Sequence, residues 1–229
     1  MHEQDPAEDG DARMRARRPP RLLLGAVLAI VILGVLSFVL FGGSSKTALP
    51  GGAREGAAAH GFLGTLALPV KPAPPLALRN YLGEPVTLSQ YRGKAVLVTF
   101  LYTNCPDVCP LIAANLRVAL NELGAAAARA QLIAVSVDPR GDTRAAVAKF
   151  LRAHELLGRM QYLVGSHAQL ARAWAAWGVG SQRDVGQPQL VAHSALVYGI
   201  GAGGDLRTIY PSSFEPRQIA HDVPLLAAR

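Results

Sequence analysis

The run Ala95-Val96-Leu97-Val98-Thr99-Phe100-Leu101-Tyr102, followed at once by Thr103-Asn104-Cys105-Pro106-Asp107-Val108-Cys109-Pro110, decides how this 229-residue chain folds. The first eight residues are almost continuously apolar and rich in β-branched and aromatic side chains, as in a strand buried on both faces. Residues 111–123 carry a helical pattern that stops at Gly124. A second strand pattern, Leu132-Ile133-Ala134-Val135-Ser136-Val137, completes a β-α-β unit. A helix-length crossover brings the chain back to the same end of the sheet, so these two strands run parallel.

Working outward, Asp142-Thr143 opens another helix with Val147, Phe150 and Leu151 on one face, and residues 168–177 form a further one ending at Gly178. Trp174 and Trp177 fall on it and are assigned to core packing. Residues 194–200 and 206–210 flank Gly201-Ala202-Gly203-Gly204-Asp205, a hairpin with a glycine-rich turn that adds antiparallel edges. A last helix is expected near Pro216, with Pro224 ending or kinking it. This is the thioredoxin order of elements. The expected fold class is therefore α/β, a thioredoxin-like central mixed sheet flanked by helices.

Residues 22–41 read differently. Of these 20, all but Gly25, Gly34 and Ser37 are hydrophobic and none is charged. Twenty helical residues span about 30 Å, the hydrocarbon thickness of a bilayer. Arg13, Arg15, Arg17, Arg18 and Arg21 crowd the N-terminal side, which the positive-inside rule places in the cytoplasm. A cleaved signal peptide would have a shorter apolar region and a better cleavage site than Gly42-Gly43-Ser44-Ser45-Lys46-Thr47-Ala48. The expected organisation is a cytoplasmic tail over 1–21, a single transmembrane anchor over 22–41, a flexible linker over 42–60, and an extracytoplasmic domain over 61–229. Hydrophobic residues make up 50% of the chain, which excludes intrinsic disorder, and two cysteines exclude a disulfide scaffold. From residue 42 onward there are 18 Lys and Arg against 11 Asp and Glu, so this part carries the whole net charge of +7. The basic residues are scattered and not interleaved with aromatics. They describe a solvated surface suited to an acidic partner and no nucleic-acid site.

Chemistry concentrates at Cys105 and Cys109, the only cysteines. At i and i+4 on a helix they share a face, with α-carbons roughly 6 Å apart, within reach of a disulfide. A helix start favours the thiolate. Pro106 and Pro110 are tolerated there because the first turn has no hydrogen bond to lose. Three uses fit the pair. A structural disulfide closing so short a loop stabilises little. A thiol–disulfide oxidoreductase usually carries C-x-x-C, one residue shorter. A metal site is the third: two thiolates suit a soft ion such as Cu(I), and an imidazole is a fitting third ligand. Among six histidines, His2 and His60 lie in the tail and linker, and His154, His167 and His221 fall on helix patterns as surface groups. His193 sits at the start of the hairpin, in the loop that a thioredoxin-like fold lays beside the cysteine helix.

These residues resemble a family. Tyr102-Thr103-Asn104-Cys105-Pro106-Asp107-Val108-Cys109-Pro110, Val135-Ser136-Val137-Asp138-Pro139 with Asp142-Thr143, His193-Ser194, and Tyr91-Arg92-Gly93-Lys94 ahead of the central strand are similar to the Sco/SenC family. That family comprises membrane-anchored, thioredoxin-like copper proteins that assemble the dinuclear copper centre of cytochrome c oxidase. The resemblance implies Cys105, Cys109 and His193 as copper ligands. It also implies a membrane-bound acceptor such as an oxidase subunit, with Cu(I), Cu(II) or both as cargo. The family commonly has Gly and His where this chain has Leu101 and Asn104, and a polar or acidic residue at the position of Ala192. The expected function is a metallochaperone that delivers copper by ligand exchange, with loading coupled to thiol redox state and no catalytic residue required. The alternative is a membrane-tethered oxidoreductase that uses Cys105 and Cys109 as its redox pair to reduce the acceptor's cysteines. A peroxidase, suggested by Thr103 ahead of Cys105, is a third and weaker reading, because it needs neither Cys109 nor a late histidine.

Overall fold

The computed structural model describes residues 61–183 and 191–229. The tail, the apolar stretch 22–41 and the linker lie outside these residues, as do His2 and His60. Among the described residues no helix is long and apolar enough to cross a membrane.

In chain order the elements are β1 (Thr65–Pro72), β2 (Ala77–Asn80), β3 (Pro85–Thr87), β4 (Ala95–Leu101), α1 (Val108–Leu123), β5 (Ala130–Ser136), α2 (Arg144–Ala153), β6 (Met160–Val164), α3 (His167–Trp177), β7 (Ser181–Arg183), β8 (Val191–His193), β9 (Leu196–Ile200), β10 (Asp205–Pro211) and α4 (Pro216–Leu226). Eight strands form one sheet in the order β1-β10-β9-β4-β5-β6-β2-β3, while β7 and β8 form a separate ribbon. Strand β4 is buried along all seven residues, as its unbroken apolar run requires. It pairs parallel with β5 and antiparallel with β9, and β5 pairs parallel with β6. The sheet is mixed, and the β-α-β reading holds.

Helix α1 buries Cys109, Ile112, Ala113, Leu116, Ala119 and Leu120, the 3–4 spacing of one face, and packs against α4. It begins at Val108, three residues earlier than residue 111. Pro110 is therefore its third residue and costs no helical hydrogen bond. Thr143, not Asp142, caps α2, its hydroxyl accepting the Ala146 N–H at 3.2 Å. Helix α3 ends on Gly178 in the left-handed region, φ 66°.

Two expectations need correction. The β9–β10 hairpin is not at an edge: β9 lies beside the central strand, and β1 covers β10. Of the two effects expected of Pro224, ending the helix does not occur: α4 continues to Leu226, and the Ala227 N–H still reaches the Val223 carbonyl at 2.9 Å. A proline this close to a C-terminus disturbs only the final turn. Strands β1, β2, β3, β6, β7 and β8 were not anticipated. Both tryptophans are core residues as expected: Trp174 donates its indole N–H to the Ser136 carbonyl at 2.9 Å, and Trp177 packs on Phe100 and Tyr198 with ring centroids 5.9 and 5.2 Å away.

Candidate metal and thiol site

The site forms where β4 hands over to α1. Cys105 follows the strand in a tight turn, its N–H donating to the Tyr102 carbonyl at 3.3 Å. Cys109 is the second residue of α1 and is fully buried, whereas Cys105 is 9% exposed. Both are free thiols. The Cys109 N–H donates to Cys105 Sγ at 3.4 Å, so the helix start supports negative charge on Cys105 as its position suggested.

His193 ends β8, 84 positions later in the chain, and its Nε2 lies 3.6 Å from Cys109 Sγ. Its Nδ1 faces the Ser194 carbonyl at 3.2 Å. With Nδ1–H donating there, the Nε2 lone pair is left for the thiol or a metal. Burial holds the imidazole below its ordinary pKa, so it is neutral at physiological pH. The structure thus brings the two cysteines together and sets His193 against the second. Among the described residues, no group of three or more His, Cys, Asp or Glu side chains is placed so that it could hold a metal ion as it stands.

The two thiols differ sharply. The Cys109 side chain, hydrogen-bonding toward Cys105, is the largest influence drawing Cys105 down to about 5. Burial opposes this, while the backbone at Asp107 and Cys109 and the Tyr102 phenol assist. The same hydrogen bond, together with burial, pushes Cys109 well up. Cys105 is the thiolate and Cys109 keeps the proton, with two acceptors, Cys105 Sγ and His193 Nε2, facing it. A shallow hollow of about 310 Å³ lined by Tyr102, Cys105, Pro106, Val108, Val191 and His193 opens the site to solvent.

Two residues that the sequence marks only as parts of motifs, with no role at the site, support this geometry. Asp142 is buried and accepts from Thr103 N–H at 2.8 Å, Ser136 Oγ at 2.6 Å and Tyr162 OH at 2.9 Å. One carboxylate thereby ties together the chain just past β4, the end of β5 and the middle of β6. Tyr102 accepts the Val191 N–H at 3.3 Å and meets the His193 ring edge-on at 5.8 Å. Their motif positions are legible, but neither the inward turn of Asp142 nor the reach of the Tyr102 phenol to β8 can be read from one sequence.

The other histidines lie elsewhere. His167 is exposed and edge-on to Trp174 at 5.6 Å. His154 packs on Phe150 with ring centroids 4.5 Å apart, and burial lowers its pKa. His221 is more than a surface group: its Nδ1 contacts the buried Asp222 carboxylate at 2.8 Å.

Fold and site together define a thioredoxin-like domain with a C-x3-C pair at a helix start and an imidazole against the second thiol. The chain belongs to the SCO1/SenC family, whose model matches residues 70–228. It is 27% identical over 154 residues to the human mitochondrial protein SCO1 homolog, covering 65% of this chain and 50% of that protein. It is 30% identical over 152 residues to the mouse mitochondrial protein SCO2 homolog, covering 64% and 59%. The chain thus spans only about half of the length of these relatives. Among solved structures, it resembles the apo Sco1 protein from Thermus thermophilus with a TM-score of 0.64 and 32% identity, covering 74% of this chain and 99% of that one. It also resembles Bradyrhizobium japonicum ScoI with copper bound, with a TM-score of 0.61 and 26% identity, covering 68% and 99%.

Proposed function

We propose that this protein binds one copper ion through Cys105, Cys109 and His193 and passes it to a membrane-bound acceptor such as a subunit of cytochrome c oxidase. The observation that carries this reading is the 3.6 Å approach of His193 Nε2 to Cys109 Sγ beside a second free thiol. Two sulfurs and one neutral imidazole are the donor set a soft copper ion favours. The 26%-identical Bradyrhizobium relative was solved with copper bound. A shallow site lets an acceptor's own thiols and imidazoles attack the metal while the first ligands still hold it. Oxidation of the pair to a disulfide would abolish loading and couple it to thiol redox state.

Residues 22–41 would anchor the chain with its N-terminus in the cytoplasm and residues 61–229 outside it. Tethering then raises the domain's effective concentration at a membrane-bound acceptor.

The test is copper per protein on the reduced full-length chain, loaded anaerobically. We expect one ion for the wild type and a large loss for Cys105→Ser, Cys109→Ser and His193→Ala. If the cysteine variants bind copper as the wild type does, or His193→Ala binds equally tightly, the three-ligand site is wrong.

One observation favours a second reading: Cys105 is a thiolate beside a protonated Cys109, the division of roles a thiol–disulfide reductase uses. Rapid turnover on protein disulfides by a chain that retains no copper would select it.

A further inference from the structure

His193 is carried by a weak element. Strands β7 and β8 have three residues each and pair only with one another in a ribbon separate from the main sheet. A two-stranded ribbon this short is not stable alone. Among the described residues, two hydrogen bonds involving side chains join it to the ends of the central strands: Ser181 Oγ donates to the carbonyl of Val137, just past β5, at 3.4 Å, and the Val191 N–H donates to the phenol of Tyr102, just past β4, at 3.3 Å. Val191 and His193 are two apart on β8, so both side chains leave the same face of the strand. Fixing the backbone at Val191 therefore fixes where the imidazole points.

Tyr102 is placed to do this. It is the first residue past β4 and only 3% exposed, so its ring cannot swing away. Its ring lies edge-on to the imidazole, 82° between planes and 5.8 Å between centroids, and its carbonyl receives the Cys105 N–H. One residue thus bonds the turn that carries the first cysteine, packs on the histidine and pins the histidine's strand.

We propose that Tyr102 is a positioning residue, whose phenol pins β8 to the end of β4 and so holds His193 in place as the third copper ligand. This rests on the ligand set proposed above. Phenylalanine at 102 would keep the buried ring but leave the Val191 N–H without its acceptor, and the imidazole would lose its fixed approach to Cys109. Outer-shell partners of metal ligands commonly contribute 10- to 100-fold to affinity.

The test uses the full-length chain with Cu(I), competed against bathocuproine disulfonate. Tyr102→Phe should still take up one copper ion but bind it about 10-fold more weakly. Loaded with Cu(II), it should show a displaced thiolate-to-copper absorption band, which a purely structural role would not move. In a His193→Ala background the same substitution should cost clearly less than in the wild type, leaving only what the phenol contributes at Cys105, because its main action is through the imidazole. Wild-type affinity and an unmoved band in Tyr102→Phe, or an undiminished loss in the His193→Ala background, would overturn the proposal. Absence of copper from the wild type would instead remove the ligand assignment beneath it.

Discussion

The Asp142 carboxylate accepts the Thr103 N–H at 2.8 Å across 39 residues of sequence, and this bond sets the path of the chain two residues ahead of Cys105. Its other oxygen takes the hydroxyls of Ser136 and Tyr162. Asp142→Ala strands all three donors in the core and should destabilise the domain by about 2–4 kcal/mol. Asp142→Asn should cost far less, since its amide can donate to hydroxyls that also accept. Urea unfolding of the two variants checks this, and equal losses would show that the hydrogen bonds are not what matters.

The same residue gives a pH signature. Burial raises the Asp142 pKa above its unfolded value, and the hydrogen bonds only partly offset this. The folded state therefore takes up the proton more readily than the unfolded one. The resulting stability is fully present below the unfolded value of about 3.9 and is lost as pH rises through the folded value. Relative to Asp142→Asn, the wild type should gain stability on going from pH 7 toward pH 4. A difference that stays flat, or moves the other way, would contradict the burial argument.

Reactivity should separate the two cysteines. With Cys105 drawn down to about 5 and Cys109 pushed well up and fully buried, iodoacetamide on the reduced, metal-free protein should modify Cys105 alone. The rate should stay level from pH 8 to 6 and fall as pH drops through about 5, because the thiolate is the nucleophile. Mass spectrometry of timed samples reads both points. A rate that rises steeply between pH 7 and 9 would mean that Cys105 is an ordinary thiol.

Asp222 ties α4 to the chain entering β1 and to β10. Its buried carboxylate accepts the Leu63 N–H at 2.8 Å, the Gly64 N–H at 2.8 Å and the Tyr210 hydroxyl at 2.8 Å. Asp222→Ala should cost about 2–4 kcal/mol and abolish hydrogen-exchange protection at residues 63 and 64, with little effect at Cys105. Retained protection at Gly64 would mean that the strand is held by β10 alone.

What the sequence revealed was whatever a local pattern or a rare residue could carry. β4 and β5 were visible because a strand buried on both faces has no choice of side chain, and α1, α3 and the hairpin because glycine marks their ends. The cysteine pair stood out by scarcity, and His193 only once the fold supplied its neighbour. β1 was hidden because Pro69 and Pro72 argue against a strand, yet at a sheet edge their missing N–H groups cost little. β6 is five residues wedged between two helices, and β7 and β8 have three each, too short for any periodicity. By its sequence Asp142 belongs to a helix start, whereas Thr143 caps the helix and Asp142 turns inward. No property of either residue alone decides between those roles.

The unequal burial of the two thiols imposes an order in time. Cys105 lines the mouth of the hollow, and Cys109 lies behind it with no exposed surface. From solvent, Cys105 is the thiol met first, so the site has a front and a back. Under the proposed function, copper would reach Cys109 only after Cys105 and leave in the reverse order.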